Sequence, residues 1–314
     1  MIRIASSLFI TMLLALCLHV ASAHAQYVHT CVSAASGSDA NTCHCTQPCR
    51  TFQRAHAQTL SDGQITVRDP GDYGPVTITK GISIVNDDAG TATIIVSGGG
   101  TGVEISAGGA AYVNLRGLTI QGVGFGGSTG IRFDNGYTLT ITNCVVRNHT
   151  GSGIEFRPNA SSNLAVSNTV VADNGQSGIF VQPIIGGVPI VKAELNRVEA
   201  YNNSVNGFTL DGSLSGNSPQ VTISDSVAGA NAGAGFKAIG NLALVVVRSS
   251  AVNNGTGVAL AGNGPFVSIS ASTVTGNTTT WSKTPGNNLS SYGDNVVDFN
   301  SDGSPAFPGA IAKQ

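Results

Sequence analysis

From Tyr112 onwards, apolar and polar residues alternate in short runs that recur in a fixed order. Leu139-Thr140-Ile141-Thr142 turns at Asn143, continues through Val145-Val146-Arg147, turns again near Asn148, and resumes after Gly153 as Ile154-Glu155-Phe156. The next unit runs through Leu164-Ala165-Val166-Ser167 and Val170-Val171 to Gly178-Ile179-Phe180-Val181. Glycines at 130, 153, 178, 207, 235 and 257 mark successive units, at intervals of 23, 25, 29, 28 and 22 residues. Period two is the signature of strands, and no segment after residue 62 sustains the helical period. A repeat of this size marks a solenoid. Three short strands per unit predict an all-β, single-stranded parallel β-helix. The variable coil length favours the right-handed form, because a left-handed one needs a strict six-residue repeat.

Stacked coils lie about 4.8 Å apart, so equivalent residues form columns along the axis. One column reads His149, Asn174, Asn203, Asn231, Asn254, Asn277. Asparagine tolerates left-handed backbone geometry and can share amide hydrogen bonds with the residue above and below. The column is therefore expected to be a structural ladder at a tight corner, with the asparagines themselves left-handed. A second corner column holds Cys144, Thr169, Val198, Ser226, Ser249 and Ser272, in which Cys144 reads as a small filler with a free thiol.

A bare coil end would template aggregation, so both ends need covers. Phe52, Ala55 and Thr59 share one face of a short amphipathic helix at the N-terminal end, while the Gly- and Pro-containing stretch after Asn287 reads as a loop cap with a frayed tail. Ahead of these lies Met1 to Ala25, with one cation (Arg3), an apolar run and a closing Ala23-His24-Ala25, the pattern of a secretory signal peptide. The expected organisation is a signal peptide at 1–25, a disulfide-tied cap with a short helix at 26–62, the β-helix at 63–286, and a C-terminal cap and tail at 287–314. No stretch after the signal is apolar enough to span a bilayer.

Composition narrows the function. Glycine is 41 of 314 residues, only 10% of residues are charged, and the net charge is −2. No strong field draws the chain to nucleic acid. Of six cysteines, Cys17 lies in the signal and Cys31, Cys43, Cys45 and Cys49 cluster together. In a secreted or periplasmic protein the cluster reads as two disulfides with three possible connectivities, and a zinc knot is the competing reading.

The segments Pro48-Cys49-Arg50-Thr51-Phe52-Gln53-Arg54-Ala55, Gly63-Gln64-Ile65-Thr66-Val67-Arg68-Asp69-Pro70-Gly71-Asp72-Tyr73-Gly74 and Val76-Thr77-Ile78-Thr79-Lys80 resemble the first turns of the pectin-lyase-like right-handed β-helix superfamily. With Ser291-Tyr292-Gly293-Asp294-Asn295 near the end, the chain is most similar to secreted bacterial β-helix-repeat proteins with no assigned reaction. In such relatives a cysteine pair has the spacing of Cys43 and Cys49, which implies Cys43–Cys49 and leaves Cys31–Cys45 as the second bridge.

The resemblance directs a search for chemistry. Polygalacturonase-like Asn-Thr-Asp, Gly-His-Gly and Arg-Ile-Lys motifs, the Arg-Pro-Trp of pectin methylesterases and the calcium-binding nonapeptide do not occur in the sequence. What remains is a pattern similar to calcium-assisted pectate lyases on the strands after the recurring glycines. There, Arg132, Asp134, Glu155, Phe180 and Asp211 are candidate ligand contacts, and Arg157 or Lys237 a candidate base. Aligning the coils places Arg132 beside Glu155 and Asp134 beside Arg157, which reads as ordinary cross-strand charge pairing. The loops entering these strands, 148–152 and 173–177, are short, where lyases use long loops as cleft walls. The sequence therefore points first to a non-catalytic protein that binds a polysaccharide, a cell-surface glycan or another surface partner, with no resident cofactor. A uronate lyase or hydrolase, with calcium if a lyase, is the second reading, and a structural or adhesin-like surface protein the third.

Overall fold

The alternating runs become strands, each paired in parallel with its counterpart one coil away, in a computed structural model that describes residues 26–122, 126–184 and 190–312. The signal-peptide expectation at 1–25 lies outside the described residues. Every coil has three walls. The first wall is a nine-stranded sheet running from Val76–Ile78 through Ile154–Phe156 to Thr279–Lys283. A second wall, with strands such as Thr138–Thr142, and a third, with strands such as Val145–Arg147, belong to one twenty-stranded sheet. In two coils a single strand runs round the corner between them, Ser162–Ala172 and Val191–Tyr201.

Strand alternation sends every second side chain inward, where equivalent positions stack into apolar columns. One first-wall column reads Ile105, Phe133, Phe156, Val181, Leu210, and all five are buried. Phe133 lies on Phe156 with ring centroids 4.6 Å apart, and Phe208 lies on Phe236 at 5.3 Å. Each such side chain contributes roughly 1.5–3 kcal/mol by leaving water.

The corners require left-handed backbone, and the structure corrects where it falls. The ladder asparagines are not themselves left-handed. The residue just before each one is: Asn148, Asp173, Asn202, Ala230, Asn253, Gly276 and Phe299 have φ between 51° and 67°. The other corner has the same design, with Asn143, Asn168, Arg197, Asp225, Arg248 and Ala271 between 47° and 55°. Turning the chain at that residue frees the next one to point its side chain into the corner.

There the amides form a continuous ladder. Asn203 donates from its backbone N (3.0 Å) and its Nδ2 (2.9 Å) to Asn231 Oδ1, and the pattern repeats from Asn174 to Asn203, Asn231 to Asn254 and Asn254 to Asn277. Each Nδ2 from Asn203 onwards also reaches back to a backbone carbonyl, as from Asn231 to Ala200 O at 3.0 Å. The ladder extends one rung beyond the sequence expectation, to Asn300, whose N is stopped by Ser304 Oγ at 2.9 Å. At its other end His149 stands in for asparagine. Its N donates to Asn174 Oδ1 and its Nε2 lies 3.4 Å from Ile120 O, the carbonyl matching those the asparagines use.

The ladder also accounts for the recurring glycines. A Cβ on Gly178 would come within 2.9 Å of Asn203 Nδ2, and one on Gly207 within 2.9 Å of Asn231 Nδ2. Glycine is present there because the amide shares that space with a backbone carbonyl of the next coil, such as Gly207 O at 2.8 Å from a Cβ on Gly178, and at Gly153 and Gly257 with a valine methyl as well. In the second corner, hydroxyls do the equivalent job: Ser226 N donates to Ser249 Oγ and Ser249 N to Ser272 Oγ, both at 3.1 Å. Cys144 fills that column, 1% exposed, with no disulfide and with its thiol pushed up to about 11 by burial.

At the N-terminal end, strand Tyr27–Val32 pairs in parallel with Thr59–Val67, so the cap region adds a strand to the sheet. The helix Phe52–Gln58 begins at Thr51, whose Oγ1 accepts from Arg54 N, and it buries Phe52 against Tyr73, ring centroids 5.0 Å apart. Disulfides join Cys31 to Cys45 and Cys43 to Cys49. At the other end, strands Asn288–Ser291 and Val296–Asp298 continue the coil past residue 286, and Trp281 Nε1 donates to the carbonyls of Pro305 and Ala306. Among the described residues no helix is long and apolar enough to cross a membrane.

Two outcomes follow from the corners. Replacing Asn231 by Leu leaves the Asn203 N–H buried without a partner, so urea unfolding should show a loss of about 1–3 kcal/mol; unchanged stability would remove the ladder from the account. Burial holds His56 and His149 at a pKa of about 4, below the ordinary 6.5, with Lys80 adding to the effect at His56. Between those values the unfolded chain takes up protons that the folded chain refuses. Stability is therefore complete above about pH 6.5 and falls toward pH 4, by up to about 3 kcal/mol per histidine. Urea midpoints at pH 7 and pH 4.5 should show the drop, and His149→Asn, which supplies the ladder's own amide, should lessen it.

Candidate functional site

The outward positions of the first wall form a straight column: Glu104, Arg132, Glu155, Phe180, Thr209, Lys237, Ala259 and Ser282 are successive register partners. The sequence places Arg132, Glu155, Phe180 and Lys237 here, and the structure brings them together in that order. It adds Glu104, whose strand Thr101–Ser106 carries the same glycine followed by alternating residues, Gly102-Val103-Glu104-Ile105. That signal was legible one coil before the repeat was taken to begin.

The expected charge pairs are not the ones formed. Arg132 and Glu155 are register partners, but Arg132 Nε donates to both carboxylate oxygens of Asp134, at 3.1 and 3.0 Å, within its own strand. This carboxylate holds the Arg132 guanidinium above its ordinary pKa, with smaller contributions from Glu155 and Glu104. Asp134 and Arg157 form no ion pair either. The paired register with the following coil ends at Phe133 and Phe156: Arg157 N bonds to Phe133 O, but the next bond, from Asn159 N, falls on Asp134 O, so Asp134 and Arg157 are not ladder partners. Arg157 Nε is buried with no partner, and among the described residues Glu104 and Glu155 have no hydrogen bond or ion pair through their side chains.

Farther along, Gln182 Nε2 donates to Asp211 Oδ2 at 2.8 Å, so Asp211 is committed to its neighbour. Thr209 is buried beneath Ser177 and Asn206, both hydrogen-bonded to its Oγ1. Lys237 borders an open trough of about 430 Å³ in which Ala259 and Ser282 leave room above the strands. The candidate acids Asp134 and Glu155 stand on adjacent coils, with Asp211 two coils beyond Glu155. Calcium takes six to eight oxygens at one point. Among the described residues the one trio at metal-ligand spacing is His29, Cys31 and Cys45, and both sulfurs are already in a disulfide.

Residues 72–183 match the family model described as "Right handed beta helix region". Among solved structures, pectate lyase Pel9A is similar at 17% identity and a TM-score of 0.59, over 88% of this chain and 81% of that one. XylC, solved with xylose, is similar at 9% identity and a TM-score of 0.54, over 84% of this chain and 68% of that one. No curated protein matches the sequence. At these identities the likeness is one of fold, and with the geometry above it establishes a right-handed parallel β-helix protein.

The charge arrangement is open to measurement. Glu155 has no partner to lose, so Glu155→Gln should shift unfolding by less than about 0.5 kcal/mol, whereas Asp134→Asn, which breaks the Arg132 pair, should cost up to about 1 kcal/mol. The reverse order would mean that Arg132 turns to Glu155 in solution.

Proposed function

We propose that this is an exported protein that binds a polysaccharide along the first wall without cleaving it. One observation carries the reading: from Glu104 to Phe180, and again at Lys237 and Ser282, the outer column offers one charged, aromatic or hydroxyl-bearing side chain per coil in a straight line, with the buried Thr209 and Ala259 as the plain positions between. The repeat of about 4.8 Å is close to the length of one pyranose unit, so a linear chain laid along the axis meets a new side chain at each sugar. The acids on this wall are spread over the coils or tied to Arg132 and Gln182, which suits contacts to hydroxyls better than assembly of a calcium centre. Two disulfides support an oxidising compartment and hence export. The names of the structural neighbours, a pectate lyase and a protein solved with xylose, support a carbohydrate partner.

Arg157 favours one second reading. It is half-buried one coil on from the Arg132–Asp134 pair, with its N bonded to Phe133 O, where its guanidinium would suit a uronate contact or a base in a calcium-assisted lyase, with Glu155 among the calcium ligands. Affinity electrophoresis against polygalacturonate, alginate and neutral glycans, run beside an assay for unsaturated product with and without calcium, separates the readings. The expected result is retardation by at least one polymer and no product. Calcium-dependent product that is lost in Glu155→Gln would make the protein a lyase. Retardation by none of the polymers would leave it a structural surface protein.

A further inference from the structure

The second wall carries a different surface. Its outward column reads Tyr112, Thr138, Asn163, Lys192, Gln220, Ala243, Phe266, an unbroken series of register partners spanning six coil steps. Aromatic rings stand at both ends. Tyr112 is 59% exposed and packs edge-on against Tyr137, itself 41% exposed, with ring centroids 5.2 Å apart; Phe266 is 46% exposed. Between them a shallow depression of about 400 Å³ lies over Asn163, Lys192 and Gln220, with Ala165 and Thr222 of the adjoining column in its lining. Among the described residues, the side chains of Asn163, Lys192, Gln220 and Thr222 make no hydrogen bond or ion pair. Polar groups with unused donors and acceptors, set in a concavity and flanked by exposed rings, have the composition of a ligand site.

We propose that this wall is a second glycan-binding track, selective for a neutral, linear chain whose sugars each advance by about one coil step, as β-1,4-linked pyranoses do. It goes beyond the first-wall reading and does not depend on it. The aromatic faces suit the C–H face of a pyranose, for which a carboxylate is no advantage. The amides and hydroxyls between them match ring hydroxyls. Lys192 is offset by Glu194 two residues away on the same strand, so the depression has no net charge to reward an anionic polymer. Six coil steps of about 4.8 Å set the reach at about six sugars, with the ends on the tyrosines and on Phe266.

Isothermal titration of the full chain with cellohexaose and xylohexaose, and with cellotriose and xylotriose, tests this. At least one hexasaccharide should bind about tenfold tighter than its trisaccharide, because three sugars cannot reach both ends. The double variant Tyr112→Ala/Tyr137→Ala should weaken hexaose binding about tenfold. Gln220→Ala, at an exposed position in the depression, provides a second readout should the double variant not fold. Lys237→Ala on the first wall should leave hexaose binding unchanged. Failure of both hexaoses to bind overturns the proposal, as does binding that survives the tyrosine and Gln220 changes or is lost in Lys237→Ala. The first-wall reading requires retardation that Lys237→Ala weakens, whereas hexaose binding on the second wall survives that change, so either reading can fail alone.

Discussion

The fold depends on one amide satisfying four partners in a space too small for a side chain. Each asparagine from 203 to 277 accepts at Oδ1 from the backbone and side chain of the preceding coil, and donates from Nδ2 to the following rung and to a backbone carbonyl. A buried peptide group without a partner costs about 1–3 kcal/mol, far more than the net gain from a typical satisfied one. The ladder's importance is therefore as insurance against that loss at every turn. Its requirement is paid in composition: a glycine opposite each amide, and a left-handed residue before it.

Once the corners are fixed, the walls have little freedom. Coil after coil leaves the corner at the same angle, so inward side chains stack as Phe133 does on Phe156, and outward ones line up just as strictly. The described loops 148–152 and 173–177, which enter the first wall, are short. A surface of parallel columns favours partners that are themselves linear and periodic. The first and second walls differ in kind: the first mixes acids and bases around Arg132, and the second sets rings at the ends of a depression in which Lys192 and Glu194 offset one another.

Most of the architecture was legible because strand alternation and the glycine interval are direct images of the coil. The asparagine column was legible for the same reason, but its end was not. Asn300 lies 23 residues after Asn277, as Asn277 does after Asn254, yet the strands around it are polar and the apolar pattern fades. The left-handed position was misplaced by one residue because asparagine's tolerance for that geometry pointed to the ladder itself, whereas Ala230 and even Phe299 adopt it. The Arg132 pairing was misread because column alignment weighs only neighbours on adjacent coils, whereas Arg132 takes its partner, Asp134, two residues along its own strand. Aromatic residues such as Tyr112 and Tyr137 meet only across adjacent coils, at a corner that no local pattern marks.

The rungs also make the molecule a ruler whose length can be edited. Asn231, Asn254, Asn277 and Asn300 are each 23 residues apart, and each contacts only its nearest neighbours in the ladder. Excising one such interval would bring Asn231 against Asn277 with the same donors and acceptors facing, and would shorten every wall by one step. Gain or loss of whole coils is thus a route by which every outer column could lengthen or shorten by one position while each rung keeps the same contacts.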